Sequence, residues 1–115
     1  MIACMKTKAA VYVEFGKPMV IDNIDLPDPG PTQVAVKLFA SGICHSQLHQ
    51  LGRPAALSTA PHPAERDYPR YVQWYRDGKL PLDLLVSKRY TLDQVNEGCD
   101  ALAHGQIAGR AIIQY

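Results

Sequence analysis

The sequence predicts an α+β fold in a single domain. In residues 1–53, apolar side chains recur at every second position between turn-forming residues, which is typical of β-strands. In residues 65–115 they recur at spacings of three and four, which is typical of amphipathic helices. Strands gathered ahead of helices indicate the α+β class. With 47% hydrophobic and 20% charged residues, the 115-residue chain has the composition of a globular protein with a core.

The first half of the chain contains three predicted strands. Residues 7–15 (TKAAVYVEF) form the first strand, and Gly16 begins the turn that ends it. Residues 19–26 (MVIDNIDL) form the second strand, which ends at the proline-rich run PDPGP at 27–31. Residues 33–40 (QVAVKLFA) form the third strand. This third strand places three apolar side chains on one face: Val34, Val36 and Leu38.

The second half begins with a predicted helix. Asp67 is the candidate cap, Pro69 is tolerated in the first turn, and Gly78 ends the helix. Residues 80–90 are predicted to be extended. The helix has an aromatic and apolar stripe at helical spacing, made of Tyr68, Tyr71, Val72 and Tyr75.

A second helix and a last strand complete the chain. Thr91 and Gln94 have the spacing of a capping box, and Gly105 is the predicted C-terminal stop. The buried stripe consists of Leu92, Val95, Cys99 and Leu102. Gly98, inside this helix, is expected to cost roughly 1 kcal/mol relative to alanine. Residues 110–115 (RAIIQY) form the last predicted strand.

The middle of the chain predicts a connector. The stretch GRPAALSTAPHP at residues 52–63 has no hydrophobic period and contains three prolines among small residues. We therefore divide the single domain into an N-terminal part at 1–53, a connector at 54–64 and a C-terminal part at 65–115.

Charge and composition exclude several functional classes. Twelve basic and eleven acidic residues give a net charge of +1, so nucleic acid is not an expected partner. No apolar run is long enough to span a membrane, and the short apolar start is not a secretory signal, so we expect a cytoplasmic protein without a membrane partner. Three widely spaced cysteines make a disulfide framework improbable and leave free thiols or a metal ligand as the alternatives.

Residues 42–49 (GICHSQLH) concentrate the reactive side chains of the chain. They place a thiol, a hydroxyl and two imidazoles at a loop and the predicted first turn of a helix. Unpaired amides and the helix dipole favour a thiolate there, so Cys44 is the leading metal-ligand candidate. The alternative is that Cys44 is a small buried apolar residue and that the histidines are ordinary surface residues.

These residues also match a known family. The segment GICHSQLHQLG at 42–52 resembles the zinc-site loop of zinc-dependent medium-chain alcohol dehydrogenases, and the resemblance covers residues 6–53 and 65–115. It implies a partial GroES-like β-barrel with two or three helices, in a family where a Rossmann domain interrupts the barrel. No G-x-G-x-x-G motif or run of βαβ units stands in these 115 residues, and the usual Gly-His-Glu segment, third zinc ligand and four-cysteine zinc lobe are also missing.

The resemblance assigns a role to each residue of the segment that matches. It implies that Cys44 is a ligand of catalytic zinc, that Ser46 takes the proton of the alcohol and that His49 relays this proton to solvent. His45 resembles a position near the pyrophosphate of NAD. Arg110 resembles an arginine that clamps the same phosphates, for which its fixed fork of donors is suited.

Each of these roles has a simpler alternative. Ser46 is also a candidate helix cap or solvent-facing hydroxyl, His49 a surface residue, and Arg110 a partner for an acid at the sheet edge. Gln47 replaces the commoner Asp of the family, which removes a carboxylate near the metal position. His62, in the connector, is a weak candidate for an opportunistic zinc site.

Three functional hypotheses follow. The first is a shortened alcohol dehydrogenase catalytic domain, by resemblance an oxidoreductase of alcohols or aldehydes with zinc and NAD, which does not transfer hydride alone. The second is a non-enzymatic binding or self-assembly module that forms a homo-oligomer through an exposed barrel edge or through the face of Tyr71 and Trp74. The third is that another chain supplies the missing domain.

Overall fold

The computed structural model describes residues 4–52 and 64–115, and within them the side chains of 5–48 and 66–115. This part of the chain contains three α-helices and five β-strands, which confirms the expected mixture of helix and strand. The described strands form one two-stranded and one three-stranded sheet, and neither sheet closes on itself. Of the predicted connector at 54–64, only Ala64 lies within the described residues, where it begins a helix.

The two-stranded sheet is an antiparallel hairpin. Strand β1 (Cys4–Val11) pairs with β2 (Val20–Pro27), so that Cys4 lies opposite Pro27 and Val11 opposite Val20. The predicted strand at 7–15 is therefore shifted: it begins earlier and ends at Val11. The reason is the turn that follows, in which Gly16 takes a φ of +74°, a left-handed conformation that glycine adopts without strain.

The predicted strand at 33–40 is wrong in its extent. Only β3 (Ala40–Gly42) forms, and residues 33–39 make no strand pairing with the described part of the chain. The two-residue hydrophobic period alone does not make these residues a strand. A strand also needs a partner for its backbone, and local sequence does not specify that partner.

The central strand of the three-stranded sheet is the one that comes last in the sequence. Strand β5 (Arg110–Gln114) is antiparallel to β3 on one side and parallel to β4 (Val86–Tyr90) on the other. The predicted last strand is therefore confirmed. The extended prediction for residues 80–90 holds only for β4, because Leu82–Leu85 forms a 3₁₀ turn.

Helices α1 (His45–Gly52) and α2 (Ala64–Arg76) lie between β3 and β4 in the sequence. Helix α2 begins before Asp67, so the prediction that Asp67 caps it is wrong, and Pro69 lies beyond the first turn. Asp67 instead pairs with the neighbouring Arg66, whose Nε lies 2.8 Å from its carboxylate. The predicted stop is confirmed by Gly78, which has a φ of +70° and donates its N–H to the Tyr75 carbonyl at 3.0 Å.

Helix α3 (Val95–Ala103) follows a 3₁₀ turn at Leu92–Gln94. The predicted capping box of Thr91 and Gln94 is present at this turn. At the other end, Gly105 has a φ of +68° and donates to the Leu102 carbonyl, as predicted for the stop. The predicted stripe faces the core, with Val95 and Leu102 buried and Leu92 and Cys99 partly buried. The buried cluster consists of Ile43, Tyr90, Val95, Leu102, Ala111 and Ile113.

At Gly98, α3 packs closely against the side chains of Ile43 and Tyr90. A β-carbon built there would lie 2.6 Å from Ile43 Cδ1 and 3.0 Å from Tyr90 Cδ2, both closer than van der Waals contact. The glycine therefore has a packing role that its low helix propensity does not indicate.

Asn96 connects the hairpin to the rest of the molecule. Its side chain accepts a hydrogen bond from the Met19 N–H and donates one to the Met19 carbonyl, each at 2.8 Å. Nearby, Lys8 Nζ lies 2.6 Å from an oxygen of Asp93 in an exposed ion pair. These contacts orient the hairpin against the start of α3.

Within the described residues, no helix combines the length and the apolar content that crossing a membrane requires.

Candidate functional site

The candidate site lies where β3 leads into α1, and we call it the thiol site: Cys44, Ser46, Gln47 and Arg110. The Ile43 N–H donates to the Ala111 carbonyl at 3.0 Å, so the chain leaves the sheet beside β5. This pairing brings Cys44, the residue directly before α1, close to Arg110, the first residue of β5.

Gln47 closes the turn that carries the thiol. Its Oε1 accepts the Cys44 N–H at 2.9 Å, while its own N–H donates to the Cys44 carbonyl at 3.0 Å. The side chain thus satisfies a backbone donor at the start of the helix, as the third residue of a capping box does. This arrangement fixes the backbone of Cys44.

Ser46 contacts the sulfur directly. Its hydroxyl donates to Cys44 Sγ with an Oγ to Sγ distance of 3.2 Å. This hydrogen bond, followed by the Ser46 N–H, the Arg110 guanidinium and the His45 N–H, lowers the pKa of the Cys44 thiol below its ordinary value. The thiol is exposed, so the alternative that Cys44 is a buried apolar residue is wrong.

The pKa of the Cys99 thiol is shifted in the opposite direction. Cys99 is partly buried beside the core, and desolvation raises the pKa of its thiol. The two thiols therefore differ in the way that separates a reactive cysteine from a structural one.

The structure describes only some of the remaining predicted site residues. His45 begins α1 and is exposed, whereas the side chain of His49 lies outside the described residues, as does the whole of His62. Arg110 makes no ion pair with an acid in the described part of the chain, which disfavours the sheet-edge alternative, and its positive charge instead helps to lower the pKa of the Cys44 thiol.

The described donors of the thiol site do not make up a catalytic zinc site. Among the described side chains, those of residues 5–48 and 66–115, no three from His, Cys, Asp or Glu gather to form a metal site. Catalytic zinc takes three protein ligands, and Cys44 supplies one.

Two features of this region were not predicted from the sequence. The first is the capping role of Gln47, which its position three residues after Cys44 would have indicated. The second is a groove of about 1420 Å³ beside the site, bounded by the hairpin, the segment before β3 and the core. Gln47, Ile43 and Cys99 are among its lining residues.

The contrast between the thiols predicts their reactivity. We expect iodoacetamide to modify Cys44 faster than Cys99 at neutral pH, because only the thiolate reacts, the pKa of the exposed Cys44 thiol is lowered and that of the partly buried Cys99 thiol is raised. The labelling rate of Cys44 should reach its plateau at a lower pH than that of an ordinary thiol, and that of Cys99 at a higher pH. Peptide mapping by mass spectrometry measures both rates.

Ser46→Ala should move the pH midpoint of Cys44 labelling upward by more than Arg110→Gln does, because the hydroxyl is the largest influence on the sulfur. Ser41→Ala, a serine in β3, is the matched control and should leave the midpoint in place. In denaturant the two cysteines should react alike. Equal rates for both thiols in the folded protein would contradict the assignment.

Several curated alcohol dehydrogenases are similar to part of the chain. The alcohol dehydrogenase of Rhizobium meliloti is 53% identical over 45 residues, which is 39% of this chain and 13% of that protein. The alcohol dehydrogenase of Moraxella sp. is 50% identical over 42 residues, 36% of this chain and 12% of the relative. The NAD-dependent alcohol dehydrogenase of Sulfurisphaera tokodaii is 43% identical over 42 residues, with the same coverage.

The resemblance to alcohol dehydrogenases is thereby confirmed for a fragment of the chain. The match spans only about an eighth of the curated relatives' own length. No protein-family model matches the chain. No solved structure matches it either.

Proposed function

We propose that this chain is a shortened form of an alcohol dehydrogenase catalytic domain that does not transfer hydride by itself. By descent it is then related to oxidoreductases that act on alcohols or aldehydes with zinc and NAD. The observation that carries the proposal is the combination of a segment about 50% identical to these enzymes with a thiol site that supplies one described metal donor instead of three.

The chemistry of alcohol oxidation explains why this combination favours inactivity. A proton must leave the hydroxyl and a hydride must leave the carbon, and the nicotinamide must lie against that carbon to receive it. The relatives named NAD-dependent suggest NAD for this step. The 115 residues contain no glycine-rich dinucleotide motif to position it.

The residues of the thiol site are suited to stabilising negative charge, on the Cys44 sulfur or on the phosphates of a cofactor. Cys44 is an exposed thiol with a lowered pKa, and the Ser46 hydroxyl donates a hydrogen bond to its sulfur. While that hydroxyl donates to the sulfur, its lone pairs remain able to accept a hydrogen bond from an alcohol. Arg110 and His45 remain the candidates for binding the phosphates of a cofactor, and Arg110 adds positive charge beside the sulfur.

Activity and metal content test the proposal together. The purified chain, prepared without chelator, should produce no NADH from ethanol or benzyl alcohol and should contain much less than one zinc ion per chain. NAD-dependent oxidation that is abolished by Cys44→Ser but retained in Cys99→Ser would overturn the proposal. Activity that appears only after a second protein is added would instead identify a chain that supplies the missing domain.

A binding or self-assembly module is the second candidate. It is favoured by the large apolar side chains that the described part of the molecule leaves exposed, among them Val34, Val36 and Phe39. Zinc-free protein that associates as its concentration rises would support this candidate over a retained catalytic site.

A further inference from the structure

The groove beside the thiol site, with a volume of about 1420 Å³, has mostly apolar walls. The hairpin, residues 35–38 and side chains of the core all contribute to its lining. The large apolar side chains among them include Met5, Phe15, Met19, Leu26, Leu92 and Ile113. The groove is larger than the roughly 300–1,000 Å³ of typical small-ligand sites, so a long and flexible molecule has room in it.

The charged side chains that line the groove are all basic. They are Lys6, Lys8 and Lys37, which we call the lysine rim, and no acid is among the described lining residues. Lys6 Nζ lies 3.8 Å from an oxygen of Asp25, and Lys8 Nζ lies 2.6 Å from one of Asp93. Both pairs are exposed and therefore weak, so an incoming anion can replace the acids. Lys37 makes no ion pair with the described part of the chain.

We propose that this groove binds a long-chain fatty acid, with the alkyl chain along the apolar walls and the carboxylate at the lysine rim. Burial of the alkyl chain supplies most of the affinity, because each methylene group removed from water contributes separately. The lysine rim selects a negatively charged head group. The proposal does not depend on the proposed catalytic ancestry, since it uses neither the thiol site nor a cofactor.

Two features of the groove favour a fatty acid over a protein segment. A bound peptide strand brings an N–H or a carbonyl at each residue, and each buried group needs a partner, whereas an alkyl chain brings none. A second copy of this chain facing the groove with the same surface would bring two lysine rims together, which is unfavourable.

Cys99 serves as a built-in reporter of binding. It lines the groove and is partly buried, whereas Cys44 is exposed and is not among the lining residues. Laurate, added below the concentration at which it forms micelles, should therefore slow the modification of Cys99 by iodoacetamide several-fold and leave that of Cys44 unchanged. Peptide mapping by mass spectrometry measures both thiols in the same sample.

The tail and the head group of the ligand are tested separately. Caprylate has the same head group and a shorter tail, and it should protect Cys99 only at concentrations about 10- to 100-fold higher, because each buried methylene contributes about fourfold in affinity. Dodecyltrimethylammonium has the tail length of laurate and a positive head group, and it should protect less. Equal protection by laurate and either of these compounds would overturn the proposal. So would Cys99 labelling that slows as the protein is concentrated without laurate, which would indicate that a second copy covers the groove.

A charge reversal tests the lysine rim. Lys37→Glu should raise the laurate concentration that protects Cys99 by about 2- to 30-fold and should improve protection by dodecyltrimethylammonium. Lys88→Glu is the matched control, because Lys88 is an exposed residue of β4 that does not line the groove and the change in net charge is the same. Both residues are exposed, so the circular dichroism spectra should stay unchanged. Equal effects of the two variants would show that net charge, rather than the lysine rim, governs binding and would contradict the proposal.

Discussion

Gly98→Ala should lower the free energy of unfolding by about 1–3 kcal/mol. Helix propensity alone predicts the opposite sign, because alanine is the better helix former by about 1 kcal/mol. The packing contact decides between the two effects: the added methyl group would meet Ile43 Cδ1 at 2.6 Å and Tyr90 at 3.0 Å. Urea denaturation followed by circular dichroism measures the change.

A double-mutant cycle isolates this contact. Ile43→Val removes the Cδ1 atom and should itself cost about 0.5–1.5 kcal/mol. Combined with Gly98→Ala it should cost less than the sum of the two single changes, because the two substitutions relieve each other. Glu97→Ala, on the exposed side of the same helix, is the control and should change stability by less than about 0.5 kcal/mol. A more stable Gly98→Ala protein would show that the Ile43 and Tyr90 side chains can move aside for the added methyl group.

Asn96→Ala should lower the free energy of unfolding by about 1–3 kcal/mol. The substitution leaves the Met19 N–H and carbonyl without the partner that each has at 2.8 Å, in a partly buried position. It should also loosen the hairpin, so the amides of β1 and β2 should exchange hydrogen faster than those of β5. Hydrogen exchange followed by mass spectrometry separates this local effect from global unfolding.

Asn96→Asp tests the donor half of this interaction. The carboxylate keeps an acceptor for the Met19 N–H but turns a second oxygen toward the Met19 carbonyl, which raises its folded-state pKa above the unfolded value. Stability contributed by the protonated form is present below the unfolded pKa and is lost as pH rises through the folded pKa. The deficit relative to the unaltered protein should therefore shrink on acidification. Asn23→Ala, an exposed asparagine of β2, should have little effect at any pH, and an equal loss at both sites would contradict the role of Asn96.

Local signals in the sequence predicted the ends of α2 and α3 and the cap before α3, but not the start of α2 or the bounds of β1. The capping box at Thr91 and the glycine stops at Gly78 and Gly105 depend on a few adjacent residues, so pattern is sufficient to find them. The strand at 33–40 failed because pairing is a non-local property. The close packing around Gly98 could not be predicted for a similar reason, since its neighbours Ile43 and Tyr90 are distant in sequence. The helix-propensity cost assigned to Gly98 stays a prediction.

Part of the candidate site, like part of the fold, could be predicted from the sequence. That a thiol at the start of a helix has a lowered pKa follows from the sequence of residues 42–49 and elementary electrostatics. The proximity of Arg110 to Cys44 could be inferred only through the family resemblance, because 65 intervening residues separate them in the chain. The catalytic roles of Ser46 and His49 remain predictions.

The order of the strands has a consequence for biosynthesis. Strands β3 and β4 do not pair with each other and are held together by β5, which contains residues 110–114. A ribosome that makes this chain from its N-terminus therefore completes the hairpin early, but the larger sheet must wait until its central strand has left the exit tunnel. A nascent chain arrested before residue 110 would expose the edges of β3 and β4 to chaperones and to other nascent chains.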